Sequence, residues 1–317
     1  MKIHYKRGIE FSFTWIFAVI IGAIILVLAI YAATKIISTG ETQTTTATAK
    51  EIGVLLNPLE TSFQEEVTTS LSITRETRIY NGCDNFGEFG NQKIKTSQKS
   101  FGKWSKPGVE IEFQNKYIFS DGYEEGKIFY VFSKPFDFPF KTADLIYLTS
   151  SQKKYCFFNA PAGIKEETEK LKQENLLIDC SGNENVIKVC FDPGTDFGCN
   201  VTVRYNSGYV EKNKIRLYFE TDALMYGAIF SDKEIYECQV KRLMQRAESL
   251  GSIYNKKANL LSQKDCNSNI DFSSFLAALR NYDDSFDLDV LIPIVNSMKQ
   301  DNEISSCRLW KLVPKTT

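Results

Sequence analysis

The sequence predicts an α+β protein: an N-terminal transmembrane helix, then a mixed/antiparallel-sheet ectodomain, then a helical C-terminal region. Three observations carry this expectation. Residues 11–33 contain no charge, short runs of alternating apolar and polar residues fill the middle of the chain, and from about residue 233 apolar residues recur at helical spacing. The implied organisation is a cytoplasmic tail over 1–10, a transmembrane helix over 11–33, a Thr-rich stalk over 34–50, an α+β extracytoplasmic domain over 51–232 and a helical region over 233–317.

At about 1.5 Å per helical residue the uncharged run spans roughly 34 Å, slightly more than a hydrocarbon core of about 30 Å. A secretory signal has an apolar core of only about 7–15 residues before a small-x-small cleavage site. Here the run is longer and ends in Ala29-Ile30-Tyr31-Ala32-Ala33, a poor site. An uncleaved anchor is therefore favoured over a signal peptide, with the lipid bilayer as its partner. Lys2, Lys6 and Arg7 precede the span, whereas Lys35 is followed by a segment whose first charge is Glu41. That asymmetry places the N-terminus in the cytoplasm and the bulk of the chain outside a cell membrane crossed once. Ala18 with Gly22, and Ala29 with Ala33, are small residues four apart. They permit close helix packing, with itself or with other surface proteins, although small residues are frequent in spans generally.

The head of the segment, a basic leader ending at Gly8, then Ile9, Glu10 and the apolar run, resembles type IV pilin-like proteins. The resemblance implies removal of the leader after Gly8 and a mature chain beginning at Ile9. It departs from the pilin pattern in one respect, because Glu10 would stand second in the mature chain and not fifth.

Beyond the span, "STGETQTTTATAK" is rich in Thr and poor in apolar residues, a composition that reads as a stalk unable to bury itself. The alternative is an outward continuation of the membrane helix. Pro58 limits any helix that follows. "GVEIEF" puts Val109, Ile111 and Phe113 on one face and Glu110 and Glu112 on the other, a half-buried antiparallel strand. "KIFYVF" at 127–132 is apolar on both faces, as in a covered sheet centre. "PAGIKEETEKLKQE" reads as a polar helix joining the strands "KYCFFNA" and "NLLID". "VIKVCF", "NVTVRY" and "KIRLYF", separated by turn-rich segments, read as a meander. Ser231 and Glu234 match an S-x-x-E capping box ahead of Ile235, Leu243, Ala247, Leu250 and Tyr254, which predicts an amphipathic helix to about Leu261. Shorter helices are expected in "DFSSFLAALRN" and in "DVLIPIVNSMKQ", the latter interrupted by Pro293.

All eight cysteines lie beyond the span. An even number in an exported domain, with no C-x-x-C pair, points to disulfides and away from zinc. Sequence proximity pairs Cys156 with Cys180, Cys190 with Cys199 and Cys266 with Cys307, leaving Cys83 for Cys238. Alternation along the strand sets Cys190 and Cys199 on opposite faces, so that pair requires an irregular loop between them.

The most informative chemical feature is an absence. The only histidine is His4, on the cytoplasmic side, which removes Ser-His-Asp, Cys-His and His-ligated zinc sites from the outer domain. Ser150-Ser151-Gln152-Lys153 matches S-x-x-K but lacks the companion S-D-N and K-T-G motifs. Asp192 and Asp196, and the group Asp283, Asp284, Asp287 and Asp289, offer carboxylates to calcium without the spacing of a calcium loop, and read better as turns and a solvated acidic loop. No catalytic residue, cofactor or metal site is assigned. Asn200-Val201-Thr202 is the sole N-x-[ST] sequon and makes Asn200 a glycosylation candidate. The formal net charge is −1, there is no basic run with interleaved aromatics, and no nucleic-acid partner is expected.

Taken together, "LLNPLET", "TRIYNGC", "FSKPFDFPFKTADLIYL", "YCFFNAP", "DALMYGAIFSDKEIYECQVKRLMQRAE" and the Cys-Arg-Leu-Trp near the end resemble an uncharacterised family of archaeal single-pass membrane proteins with an extracytoplasmic Cys-rich domain. The resemblance implies source and topology and carries over no functional residue. Two functions remain: a non-catalytic surface protein in structure, adhesion, or envelope or filament assembly, and an anchored enzyme using carboxylate chemistry on glycans or peptides. The first is the expectation.

Overall fold

The structure, a computed structural model, describes residues 13–56, 67–180, 185–193 and 198–311, without the side chains of 36–44, 55 and 67. It opens with one continuous helix, α1 (Phe13–Leu55). The first part, residues 13–35, is long and apolar enough to cross a membrane, and the fold buries none of it. Trp15 and Tyr31 stand exposed near its two ends, the placement of interfacial aromatic residues.

The Thr-rich stretch takes the second of its two readings, an outward continuation of this helix and not a stalk, and one stripe of its far half is buried. Thr45, Ala49, Ile52 and Leu56 form one helical stripe that is fully or almost fully buried. Ala49, Ile52 and Leu56 pack with Leu71, Ile79, Ile94, Ile118, Phe129, Val131, Ile146 and Leu148 on one face of a sheet. Composition misled here because small side chains, poor in apolar area, let a helix approach closely. At Gly108 a β-carbon would come within 2.6 Å of Thr45 Oγ1, and Thr46 Oγ1 accepts from the Val109 N–H at 3.0 Å.

That sheet contains β1 (Val67–Asp84), β2 (Asn91–Ser100), β3 (Lys103–Trp104), β4 (Ile111–Phe113), β5 (Ile118–Phe119), β6 (Tyr123–Asp137) and β7 (Lys141–Ser150). Its order is β3-β2-β1-β6-β7-β5, with β4 also on β2. Pairing is antiparallel except for β5 with β7. β6 lies inside the sheet, but its two-sided apolar run is covered on both faces only toward its end: Ile128 is 40% exposed and Tyr130 half-buried, because the larger core reaches that face only from Phe132 onward. Phe129 and Val131 face α1, while Phe132 faces the larger core and stacks on Tyr147 at 4.5 Å. In "GVEIEF" only Ile111 and Phe113 reach the packed face; Val109 precedes the strand and is 60% exposed.

A second sheet has the order β13-β12-β11-β10-β8-β9. Its strands are β8 (Tyr155–Phe158), β9 (Leu176–Ile178), β10 (Ile187–Phe191), β11 (Val201–Arg204), β12 (Tyr209–Lys212) and β13 (Ile215–Tyr218). The polar helix α2 (Ala162–Leu171) joins β8 to β9, which run parallel as a crossover requires. The expected meander of "VIKVCF", "NVTVRY" and "KIRLYF" (β10, β11 and β13) does not form: β12, a strand not expected from the sequence, stands between β11 and β13 and pairs antiparallel with both. β10 pairs parallel with both β8 and β11, so β10 and β11 are not the arms of a hairpin.

Helices α3 (Asp222–Phe230), α4 (Lys233–Ser262), α5 (Phe272–Arg280) and α6 (Leu288–Ile304) complete the chain and share one core with both sheets. α3 is buried on every side from Ala223 to Phe230 and carries no amphipathic signal. The cap of α4 is Asp232, whose Oδ1 accepts from the Ile235 N–H at 3.0 Å. Ser231, the expected cap, instead ends α3. Pro293 does not interrupt α6. Its ring is on the exposed side, where water can serve the carbonyl it leaves without a donor.

The middle of α4 is locked to the first sheet by Arg242, which is fully buried. Its guanidinium donates to the carbonyls of Phe89 (2.9 Å), Lys116 (2.8 Å) and Gln114 (2.9 Å) and to Gln239 Oε1 (2.8 Å), and lies over the Tyr117 ring. Four disulfides join Cys83 to Cys238, Cys156 to Cys180, Cys190 to Cys199 and Cys266 to Cys307. Cys199 lies outside β11, in the irregular segment its pairing requires.

Docking of α1 gives a direct test. Ile52→Ala should destabilise the folded state by roughly 2–4 kcal/mol through the cavity it leaves. Val54→Ala, at a 56% exposed position on the same turn, should stay within about 0.5 kcal/mol. Chemical denaturation of the detergent-solubilised full chain measures both; equal, negligible effects would show that residues 45–56 do not pack on the sheet.

Candidate functional site

Charged groups converge where the N-terminus of α4 meets the ends of β5, β6 and β7. Asp121, Gly122, Tyr123, Glu125, Gln152, Lys153 and Asp232 line an open cleft of about 450 Å³. Gly122 closes the β5–β6 turn, and its N–H donates to Asp232 Oδ2 at 2.7 Å. With Oδ1 capping α4, both oxygens of Asp232 are committed to backbone and clamp the helix to the sheet.

Lys153 lies between two carboxylates. Its Nζ contacts Asp121 Oδ2 at 2.5 Å and Glu124 Oε1 at 2.7 Å. Glu124 is fully buried behind the cleft wall, and its other oxygen accepts from the Ser150 N–H at 3.0 Å. Burial pushes the Glu124 carboxyl up to about 7 despite the pull of Lys153. For Lys153, burial alone would lower the ammonium; Glu124 and Asp121 reverse this and hold it above its ordinary value. Nearby, burial lowers Lys212 to about 8, offset in part by Asp121 and Asp232, and its Nζ donates to the Ser231 carbonyl at 2.6 Å. The buried Ser231 hydroxyl has no hydrogen-bond partner among the described residues.

This arrangement can hold a proton near neutrality, on Glu124. It does not supply a glycosidase pair, because Asp121 and Glu124 share a single ammonium and Glu124 does not line the cleft. The S-x-x-K match falls at the same place but is a turn. Ser150 Oγ donates to the Glu125 carbonyl and accepts from the Gln152 N–H, while Lys153 is held by carboxylates and is no base for the serine. Sequence reasoning missed Asp121, Glu124, Lys212 and Asp232 as a group. The one local signal is Glu124, a charge at an inward position of β6.

The other candidates lie apart from this cleft. Among the described residues no group of acidic, His or Cys side chains could hold a metal ion. Asp284 caps a single 3-10 turn and Asp287 accepts from the Asp283 N–H, so these carboxylates serve the loop before α6. Asp192 is exposed and accepts from Asn206, and Asp196 lies outside the described residues. Asn200 is exposed, its Oδ1 accepting from the Lys188 N–H at 2.8 Å. Gly8 and Ile9 also lie outside the described residues.

The buried carboxyl predicts a pH dependence. An unfolded glutamate ionises near 4.5 and folded Glu124 near 7. Its stabilisation is therefore fully present below about 4.5 and is lost as pH rises through about 7. Lys212 contributes with the opposite sign, and only from about pH 8 upward. Glu124→Gln cannot ionise and should flatten the fall in unfolding free energy over that window, by up to roughly 3 kcal/mol. Denaturant titrations at several pH values measure it; identical slopes for wild type and variant would refute the assignment.

Comparison of this chain with protein-family models, with curated proteins and with solved structures finds no match, so the functional reading rests on its own sequence and geometry.

Proposed function

We propose that the protein is a membrane-anchored, disulfide-stabilised surface protein whose ectodomain has a structural, adhesive or envelope-assembly role and not a catalytic one. The observation that carries this reading is the continuity of α1. One helix runs from an apolar stretch long enough to cross a bilayer into a stripe buried against the ectodomain sheet. An anchor built this way sets the height and orientation of the domain above the membrane, which matters for display and assembly. The four disulfides fit an oxidising space beyond the membrane. The commitment of Asp121, Glu124, Lys153 and Asp232 to one another and to backbone also supports a structural junction.

A second reading, an anchored enzyme using carboxylate chemistry, draws on one observation: a glutamate held near neutrality beside an open cleft. It is the weaker reading because the carboxylate is enclosed and paired.

Topology tests the first reading. A C-terminal tag should be protease-accessible in intact cells and should stay in the membrane fraction after alkaline extraction. Amino-terminal sequencing of that fraction should find residues 11–33 still attached, beginning at Met1 or Lys2 for a plain anchor and at Ile9 for a processed, filament-forming chain. Release of a soluble chain starting beyond residue 33 would make the segment a signal sequence and overturn the anchor.

A further inference from the structure

The hairpin joining β2 to β3 combines two features that the fold itself does not compensate. Its tip is Phe101-Gly102, and both residues have positive φ, 47° and 77°. This is the two-residue hairpin geometry that ordinarily takes Asn, Asp or Gly at the first position, where a β-carbon is strained. The Phe101 side chain is also completely exposed, at 104%. Lys103 adjoins the tip and Lys106 stands further back on the same hairpin arm, just past the Ser105 N–H that donates to the Gln98 carbonyl at 2.9 Å; both are exposed and have no ion pair among the described residues. An aromatic ring set among unpaired ammonium groups is the composition of a membrane interface.

The packing of α1 fixes what this tip faces. Thr96 Oγ1 donates to the Thr45 carbonyl at 2.7 Å, and the Gly108 N–H donates to the Thr96 carbonyl at 2.9 Å. Further along α1, Gly53 abuts the ring of Phe113, which pairs with Gln92. The helix therefore advances from Thr45 to Gly53 as the strand recedes from Thr96 to Gln92, and the two are antiparallel. From the level of Thr96, Phe101 lies roughly 17 Å along β2 at about 3.3 Å per residue. From the same level, at Thr45, the end of the apolar run at Lys35 lies roughly 15 Å back along α1 at about 1.5 Å per residue. The tip stands level with the end of the span, whereas the hairpin carrying Phe86 closes the opposite end of β2.

We propose that this tip is a second membrane contact: Phe101 enters the headgroup boundary of the bilayer that α1 crosses, and Lys103 and Lys106 meet lipid phosphates. The inference rests on the anchor reading and extends it to a two-point attachment that prevents the ectodomain from tilting about α1. Because every cysteine is in a disulfide, single cysteines introduced by Phe101→Cys, Phe86→Cys and Tyr31→Cys can carry an environment-sensitive fluorophore. The full chain is reconstituted in phosphatidylcholine vesicles containing a minority of phosphatidylglycerol, and quenching by a spin-labelled lipid is read at each site. Strong quenching is expected at 31 and at 101, several-fold above that at 86. Adding Lys103→Glu and Lys106→Glu should reduce quenching at 101 and leave it unchanged at 31. Quenching at 101 no greater than at 86, with 31 still quenched, would overturn the second contact and leave the anchor intact. No quenching at 31 would overturn both.

Discussion

A buried guanidinium is the constraint on which the rest of the structure depends. Arg242 has no access to water, and burial lowers its pKa only to about 10, so it stays charged. A charge in that position is tolerable only if carbonyl dipoles surround it, and removing its partners would leave a costly unpaired ion. The carbonyls of Phe89, Gln114 and Lys116 come from two separate loops of the first sheet, which must therefore converge on α4. Gly90 makes the approach feasible: its φ of +56° suits glycine, and a β-carbon there would press on Arg242 Cγ at 2.9 Å. One helical turn away, Cys238 bonds Cys83 at the end of β1, and Gln239 reaches Gln92 at 2.6 Å. Gln92 in turn meets Asn81, which donates to Ser120 at 2.9 Å. Gln239, Gln92, Asn81 and Ser120 thus form one buried hydrogen-bonded series, which makes the register of α4 against the sheet specific as well as tight.

With α4 held in the middle by Arg242 and at its start by Asp232, the first sheet is left with one face on the helical core and the other available to α1. The charged cleft follows from the second of these attachments. Clamping the α4 cap to Gly122 brings Asp121 and Glu124 beside Lys153, and the burial that raises Glu124 is a consequence of the joint. The opposite face accepts α1 because Thr45, Ala49 and Gly53 are small and leave room for Phe113 and Ile111. The apolar segment 13–35, long enough to cross a membrane, and the segment that packs on the first sheet are thus parts of one continuous helix.

Local periodicity and composition alone determined a good deal. The uncharged run, the alternation in β4, the apolar run in β6, the helical stripe from Ile235 to Leu261 and the even set of cysteines beyond the span are each written within a short window. Each was legible because the physical rule behind it acts over that window. The disulfide partners other than Cys83 and Cys238 are also close in sequence, where the entropy of loop closure is least. What needed the tertiary structure was every choice between partners far apart. Nothing local makes β10 run parallel to β11, seats a threonine-rich helix on β2, or gathers three carbonyls around Arg242. The cap of α4 shows the difference at a single residue: Ser231 fits the local motif, but Asp232 has a second oxygen for Gly122, from a turn distant in sequence. Pairing energies of that kind depend on which surfaces meet, and no spacing along the chain records them.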